Sequence, residues 1–160
     1  MPEPSAWRID KDKRAASSFD GSGAAKEGGR WNSAGVRVVY CSRTLAMAMT
    51  EKYVHLPKPV PTALKFISFE IDFGDLAVDS ASKLPSDWAA FPPSASSQKV
   101  GDAWVAAGRT AILAVPSAII PKETNYLLNP QHPDFRKIRI SKPEPFVFED
   151  RITRLQEPAR

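Results

Sequence analysis

The stretch Ile67-Ser68-Phe69-Glu70-Ile71-Asp72 alternates apolar and polar side chains without interruption. Successive side chains of a β-strand point to opposite faces, so this alternation predicts a strand with one buried face. Other segments are rich in β-branched and aromatic residues and predict further strands, at 7–9, 36–40, 110–115, 137–140 and 145–148. The alternation therefore predicts a sheet at the centre of the fold.

Two helices are predicted between these strands. The first covers 44–56, with Ser42 as its N-cap, and three prolines end it at positions 57, 59 and 61. The second covers 95–107, and Gly108 is placed to end it. Strands and helices do not alternate regularly, which favours a compact α+β fold over a doubly wound parallel sheet. Neither the G-x-G-x-x-G loop nor the phosphate-binding G-x-x-x-x-G-K-[ST] loop is present.

The composition predicts one domain spanning 1–160, with a core at roughly 6–150. Apolar residues make up 42% of the 160 positions, which is enough to build a hydrophobic core. Cys41 is the only cysteine, so the chain cannot form an internal disulfide or a cysteine-based zinc site. The two histidines, His55 and His132, are too few and too far apart to predict a metal site.

Charge and hydropathy bear on location and partners. The formal net charge is +4 and suits an anionic ligand or an acidic partner, but the basic residues are scattered, so direct nucleic-acid binding is not expected. The N-terminus lacks the basic start and apolar stretch of a signal peptide. The longest mostly apolar stretch, 111–120, is too short for a bilayer, which takes about 20 residues. We therefore expect a cytoplasmic protein that makes no membrane contact.

Five places in the chain carry residues suited to chemistry. In Gly28-Gly29-Arg30-Trp31-Asn32, a guanidinium that can hold phosphate stands beside an indole that can stack on a ring. Tyr40 ends the following strand, and Glu51 lies on the next helix among few charges. The remaining two are the proline-bracketed Ser117 and the segment 125–133, whose asparagines resemble turn residues. Taken singly, each has an ordinary structural explanation.

Together these segments resemble the RES family, which is named for an Arg, a Glu and a Ser that its members share. Tyr40 lies ten residues after Arg30, and Glu51 lies eleven after Tyr40. The resemblance begins at Trp7-Arg8-Ile9 and reaches the last predicted strands. It implies that Arg30, Tyr40, Glu51 and Ser117 are the catalytic residues. For substrate binding it implies five residues: Arg30, Trp31, Tyr40, Ser117 and Asn129.

The resemblance also implies a fold and an activity. RES domains are similar in fold to ADP-ribosyltransferases, which hold NAD⁺ in the cleft of a split β-sheet. They are toxins paired with an Xre-like, helix-turn-helix antitoxin, so contact with nucleic acid would be indirect. Two activities stay open: destruction of NAD⁺ with water or phosphate as acceptor, and ADP-ribosylation of a protein. A third possibility from a different class is a non-catalytic interaction module.

Cleavage of the nicotinamide–ribose bond builds positive charge on the ribose, and a nearby anion stabilises it. We expect Glu51 to supply that anion. Tyr40 would stack on the nicotinamide, Trp31 would close another side of the site, and Arg30 would hold phosphate or ribose oxygens. The diphtheria-like branch of the wider fold uses a histidine on its first strand, which this chain lacks. Ser117 would hydrogen-bond near the ribose without acting as a nucleophile, since no base is assignable to it. No metal is expected.

Overall fold

A computed structural model describes residues 3–153, and a single eight-stranded sheet forms the centre of this described part. The strand order is β4-β5-β6-β2-β1-β3-β7, with β8 also paired to β3, and the sheet curls into a half-barrel. All pairings are antiparallel except the parallel pair β4–β5. The strands are β1 (Ala6–Lys11), β2 (Val39–Ser42), β3 (Phe66–Asp72), β4 (Val78–Ser80), β5 (Ile112–Pro116), β6 (Thr124–Leu128), β7 (Arg139–Ile140) and β8 (Glu144–Phe146).

Residues 3–153 form four α-helices, and a side chain caps the N-terminus of each of the two longest. They are α1 (Ser22–Glu27), α2 (Leu45–Val54), α3 (Ala95–Ala107) and α4 (Asp150–Thr153), with 3₁₀ turns at Asp12–Ser17 and Pro133–Lys137. The Thr44 hydroxyl accepts a hydrogen bond from the Met47 N–H at 3.1 Å and caps α2. Ser94 caps α3 in the same way, and Gly108, at φ +65°, ends that helix in the left-handed region.

The mixed α+β architecture confirms the fold class predicted from the sequence. Helix α3 has the predicted bounds, and Ile67, Phe69 and Ile71 of β3 are buried as their alternation indicates. The prediction of a single buried face was too simple, because Ser68 on the other face of β3 is buried as well. The strand predicted at 36–40 is shifted to 39–42, and the cap predicted at Ser42 is instead Thr44.

Strand β6 was missed in the sequence analysis, because its flanking asparagines and proline indicated a turn. The segment Thr124-Asn125-Tyr126-Leu127-Leu128 lies between β2 and β5 and pairs with both along its whole length. Leu127 and Leu128 are fully buried. Because β6 is interior to the sheet, it brings its first residues next to the ends of β2 and β5.

The hydrophobic core consists of three clusters. Leu127 and Leu128 point to opposite faces of the sheet, so the clusters that contain them lie on opposite faces as well. The first contains Ile71, Ile112 and Leu128; the second contains Trp31, Trp104, Leu113 and Leu127; the third contains Ile9, Ala48, Leu56, Phe66 and Phe148. Helix α3 joins the second cluster through Trp104, and α2 joins the third through Ala48.

Helix α3 fixes the backbone of the loop 28–33 that precedes β2. The Ser97 hydroxyl donates to the Arg30 carbonyl at 2.7 Å, and the Gln98 side-chain amide donates to the Gly29 carbonyl at 3.0 Å. One turn further on, the Asp102 carboxylate accepts from the Ser33 N–H at 2.9 Å and from the Ser33 hydroxyl. The helix therefore binds this loop mainly through main-chain groups.

Gly101 sets how closely α3 approaches the loop. A Cβ at this position would lie 1.8 Å from the Trp31 carbonyl oxygen, far inside van der Waals contact, and the obstacle is backbone. Only glycine fits between the helix and the Trp31 carbonyl. Any larger residue has to push the loop away from α3.

We expect Gly101→Ala to lower the free energy of unfolding by about 1–3 kcal/mol through overpacking. The sign of this change in stability distinguishes packing from helix propensity. Alanine is intrinsically the better helix former by about 1 kcal/mol, so propensity alone would make the variant more stable. Denaturant unfolding of the purified protein measures the change. Ala103→Gly, at an exposed position of the same helix, is the control for propensity alone. A Gly101→Ala protein as stable as the wild type or more stable would contradict the close packing.

Candidate functional site

A cleft of about 930 Å³ opens between β1, β2, α1, α2 and the loop 28–31. Its wall combines apolar surface with a small set of charged and polar side chains, the composition typical of a small-molecule site. The charged and polar side chains of the lining include those of Arg8, Asp10, Arg14, Arg30, Tyr40, Glu51, Lys52 and Asn125. The cleft therefore brings together three of the four residues that the sequence analysis assigned to catalysis.

Glu51 is held at the cleft by two neutral donors. Its Oε1 accepts from the Ser117 hydroxyl and from the Asn125 side-chain amide, both at 2.7 Å. Its Oε2 has no hydrogen-bond partner among residues 3–153, and no cation within that range forms an ion pair with it. The carboxylate is thus fixed through one oxygen while the other remains unused by the protein.

Ser117 lies behind Glu51 and is fully buried. Its hydroxyl donates to Glu51 and accepts from the backbone N–H groups of Ile119 and Ile120, each at 3.1 Å. Its own N–H donates to the Glu123 carbonyl at 3.0 Å, which fixes the turn after β5. The substrate contact predicted for Ser117 stays a prediction, and this placement favours a role in orienting Glu51.

Asn125 is a site residue that the sequence analysis took for part of a turn. It is the second residue of β6 and donates to Glu51, while its Oδ1 accepts from the Ser42 hydroxyl at 2.8 Å. The available signal was its place in the segment that matches the RES pattern. Recognition of β6 as a strand between β2 and β5 would have placed Asn125 beside Ser42.

Tyr40 ties the strand β2 to the preceding loop. Its hydroxyl donates to the Asn32 side-chain oxygen at 2.6 Å and accepts from the Trp31 N–H at 3.1 Å. Asn32 in turn donates to the carbonyls of Ala24 and Val36. Burial raises the pKa of the Tyr40 phenol well above its usual range, so the hydroxyl keeps its proton at neutral pH. Its ring is left as the part of Tyr40 that can contact a ligand.

Arg30 and Trp31 both contact the segment that contains Trp88. The Arg30 Nη1 donates to the carbonyls of Trp88 at 2.9 Å and Ala90 at 2.8 Å. The Trp31 ring stacks on Trp88, with ring centroids 5.9 Å apart and planes at 19°. Trp31 is only 2% exposed, so most of its indole belongs to the core rather than to the cleft wall. Arg30 keeps its other N–H groups unused by residues 3–153.

Asn129, predicted to bind substrate, does not line the cleft. It is buried beyond the end of β6, where its N–H donates to the Ala111 carbonyl at 2.9 Å. Its side-chain oxygen accepts from the Gln131 N–H at 3.0 Å, which is the behaviour of a turn-capping asparagine. We therefore leave Asn129 out of the candidate site.

A charged cluster on another part of the cleft wall was also missed. The buried Asp10 carboxylate lies 3.1 Å from Arg8, 3.6 Å from Lys52 and 3.9 Å from Arg14. Burial by itself raises the pKa of Asp10, but Arg8, Lys52 and a hydrogen bond from the Ser18 hydroxyl outweigh it, so the pKa lies below its usual value. The side chains are spread over three segments, which no local sequence pattern reveals.

Within the described part of the chain, no three His, Cys, Asp or Glu side chains lie close enough together to hold a metal ion. Among the same residues, no helix has the length and apolar character needed to cross a membrane.

The depressed pKa of Asp10 predicts a pH dependence of stability. A carboxyl with a lower pKa in the folded state contributes stability above its ordinary pKa of about 3.9, and this is lost as the pH falls through the folded value. We expect Asp10→Asn to cost about 3–5 kcal/mol at pH 7, because it leaves the largely buried Arg8 guanidinium without its anionic partner. The gap to wild type should narrow below about pH 4.

Denaturant titrations at several pH values measure this gap. Asp75→Asn, which removes an exposed carboxylate outside the cleft, is the matched control. A constant gap between wild type and Asp10→Asn from pH 7 to pH 3 would mean that the carboxylate charge is not what stabilises the cluster.

The chain is similar in sequence to members of one protein family and similar in fold to a solved structure. A profile described as "RES domain" matches residues 5–149. "Prs ADP-ribosylating toxin" of Sphingobium sp. (strain YBL2) is 38% identical over 156 residues, covering 94% of this chain and 97% of its own length. "Toxin Res" of Photorhabdus laumondii subsp. laumondii is 32% identical, over 94% of this chain and 98% of its own. The solved M. tuberculosis MbcT–MbcA toxin–antitoxin complex contains a chain of the same fold, with a TM-score of 0.71 at 18% identity, over 96% of this chain and 88% of that one.

Proposed function

This chain belongs to the RES domain family, and from that premise we propose that it is the toxin of a toxin–antitoxin pair that consumes NAD⁺. The proposed reaction is cleavage of the bond between nicotinamide and ribose, with water or phosphate as the acceptor. Loss of NAD⁺ would then arrest growth. No metal takes part in this proposal, because the leaving nicotinamide already carries the positive charge that makes it a good leaving group.

The observation that carries the proposal is the environment of Glu51. Breaking the N-glycosidic bond builds positive charge on the ribose, and a fixed anion stabilises that charge more in the transition state than in the ground state. Glu51 is held by the neutral Ser117 and Asn125, and no cation among residues 3–153 forms an ion pair with it. Its Oε2, which accepts no hydrogen bond from residues 3–153, supports a role in stabilising the positive charge on the ribose. Ser117 and Asn125 are positioning residues in this scheme.

Arg30 and Tyr40 complete the proposed site. Arg30 retains N–H groups that suit phosphate or ribose oxygens, while its Nη1 holds the backbone around Trp88. The Tyr40 ring lines the cleft and has its hydroxyl anchored at Asn32, so the ring is held still for stacking on nicotinamide. Trp31 supports this arrangement mainly through its N–H on Tyr40.

A second candidate is ADP-ribosylation of a protein by the same site. The name of the Sphingobium relative, an ADP-ribosylating toxin 38% identical to this chain, favours it. The two activities share the cleavage step and differ only in the acceptor. Nicotinamide release measured with water alone, with added phosphate and with candidate proteins separates them. A non-catalytic interaction module is less well supported, because it gives no reason for an unneutralised carboxylate in a cleft.

We expect Glu51→Gln to slow nicotinamide release by about 10²–10³-fold, since it keeps the shape of the side chain and removes the anion. Arg30→Ala should cost comparably but raise KM more, because its role is to hold the substrate. Both variants should stop arresting growth in cells. Kinetics on purified proteins measure the effect, and circular dichroism checks that they fold.

Glu144→Gln, at an exposed position outside the cleft, is the control for loss of a carboxylate. A folded Glu51→Gln protein that releases nicotinamide at the wild-type rate would remove Glu51 from the mechanism. A wild type that is inactive with every acceptor, free of antitoxin, would favour the interaction module.

The proposed partner is an Xre-like, helix-turn-helix antitoxin that covers the cleft. The fold neighbour was solved as a toxin–antitoxin complex. Exposed apolar side chains line the cleft: Phe91 is 88% exposed, and Val54 and Ile119 are 47% and 40% exposed. Such residues gain most from being covered by a partner.

Co-expression with the product of an adjacent gene, where that gene encodes a helix-turn-helix protein, should give a complex on size-exclusion chromatography. We expect Phe91→Ser to weaken it by about 10-fold or more in Kd, as for a buried aromatic anchor. Val147→Ser changes a residue that is 84% exposed and lies outside the cleft, and it should leave Kd unchanged. Elution of the wild-type chain always alone, or equal effects of the two substitutions, would count against this interface.

A further inference from the structure

The cluster around Asp10 carries more positive charge than its own structure needs. Three basic side chains, those of Arg8, Arg14 and Lys52, surround a single carboxylate that is 2% exposed. All four residues line the same cleft as Glu51. The cluster therefore presents a net charge of +2 to the cleft, since three cations face one anion.

Arg8 is the structural member of this cluster. Its Nε donates to the Ser18 hydroxyl at 2.9 Å, its Nη1 to the Tyr40 carbonyl at 2.8 Å and its Nη2 to Asp10 at 3.1 Å. Every nitrogen of its guanidinium is thus bound to the protein, and the side chain is only 19% exposed. Arg8 has little capacity left for a ligand.

Lys52 and Arg14 differ from Arg8 in their hydrogen bonding and in their exposure to solvent. Each approaches Asp10 at a distance too long for a hydrogen bond, 3.6 Å for the Lys52 Nζ and 3.9 Å for the Arg14 Nε. Neither side chain donates a hydrogen bond to any other group among residues 3–153. Their side chains are 26% and 38% exposed, so solvent in the cleft reaches them. These two groups hold unused donors at the cleft wall.

Gly23 makes room for Arg14 in this position. A Cβ on Gly23 would lie 2.3 Å from the Arg14 Nη2, so the guanidinium occupies the space of a missing side chain. Gly23 itself lines the cleft. The Arg14 guanidinium therefore packs closely against α1 at the cleft wall.

The cleft consequently has two poles of opposite charge. Glu51 forms the anionic pole and is held by neutral groups. Lys52 follows it directly in α2, about 100° further around the helix, and belongs to the cationic pole. NAD⁺ has the complementary distribution, with a cationic nicotinamide at one end and an anionic pyrophosphate further along.

We propose that Lys52 and Arg14 form an anion subsite that takes a phosphate or pyrophosphate group. The inference rests on the proposed function for the identity of the ligand, which is the pyrophosphate of NAD⁺. Free orthophosphate, as the acceptor, has the same chemistry and is the other source of such a group. Asp10 and Arg8 hold the two cations in place and do not contact the ligand.

The test compares two substrates that share the bond to be broken. NAD⁺ carries the pyrophosphate and nicotinamide riboside carries no phosphate, so loss of the subsite should affect only NAD⁺. We expect the double variant Arg14→Gln/Lys52→Gln to raise KM for NAD⁺ about tenfold, with kcat nearly unchanged. Its kcat/KM for nicotinamide riboside should stay within about twofold of wild type.

The matched control is Lys65→Gln/Arg136→Gln, which removes the same two charges from exposed positions outside the cleft. It should leave both substrates unaffected. Lys52→Arg, which keeps the charge, should retain most of the NAD⁺ affinity. If the double variant does not fold, the two single variants carry the same comparison.

A second arm identifies the source of the anion. The rate of nicotinamide release is measured at increasing concentrations of orthophosphate. If the subsite takes orthophosphate instead of the pyrophosphate of NAD⁺, this rate no longer depends on orthophosphate in the double variant, while KM for NAD⁺ is unchanged. Equal losses with NAD⁺ and nicotinamide riboside, or no change in KM or in phosphate dependence, would overturn the subsite.

Titration calorimetry with inorganic pyrophosphate separates this inference from the proposed function. Wild type and the control variant should bind it, and the double variant should bind about tenfold more weakly. A wild type that releases no nicotinamide but shows this difference would overturn the proposed reaction and leave the subsite standing. Equal pyrophosphate binding by all three proteins would overturn the subsite alone.

Discussion

The hydrogen bonds from Ser117 and Asn125 to Glu51 are the interaction on which the geometry of the cleft depends. A carboxylate at a ligand site has to be oriented, and a lysine or arginine is the usual means. Here the donors are a hydroxyl and an amide, which orient the group without cancelling its charge. Three separate elements must meet for this: α2, the turn after β5, and the first residues of β6. The site can therefore form only when the sheet is complete.

The position of β6 in the sheet is what brings these elements together. It lies between β2 and β5, so Asn125 reaches Ser42 on one side while the end of β5 leads to Ser117 on the other. Partners separated by 66 to 83 residues in the chain are joined in this way. Pairing of such distant strands is slow and costs loop-closure entropy, so the site depends on the global fold rather than on local structure.

The sequence predicts those parts of the fold and site that depend on local signals. It does not predict those that depend on contacts between distant segments. Helix α3 was predicted with its observed bounds, because its apolar periodicity and the terminating Gly108 are both local signals. Arg30, Tyr40 and Glu51 were selected through the resemblance to the RES family, and all three line one cleft. The use of Asn125 was not visible, because two asparagines and a proline around a short apolar run indicate a turn unless the neighbouring strands are known.

The cluster around Asp10 was not predicted from the sequence for a similar reason. Asp10 lies on β1, Arg14 on the 3₁₀ turn after it and Lys52 on α2, and each alone is an ordinary charged residue. Only the packing of α2 against β1 turns them into a group with excess positive charge. Asn129 is the opposite case: its segment was singled out, but its side chain accepts a hydrogen bond in the turn after β6 and does not line the cleft. A motif thus locates a segment reliably, whereas the role of each side chain depends on partners supplied by the rest of the fold.

The way α3 holds the loop 28–33 explains how Arg30 is kept available for a ligand. Ser97 and Gln98 bind carbonyl groups of the loop, and Gly101 packs on another, so the path of the loop is set by its main chain. The Arg30 side chain is then not needed to fix the path of the loop. Arg30 uses its Nη1 to hold the backbone near Trp88, and its other N–H groups are unused by residues 3–153. The functional side chains of the cleft can therefore face a ligand because backbone contacts and buried neutral groups support them from behind.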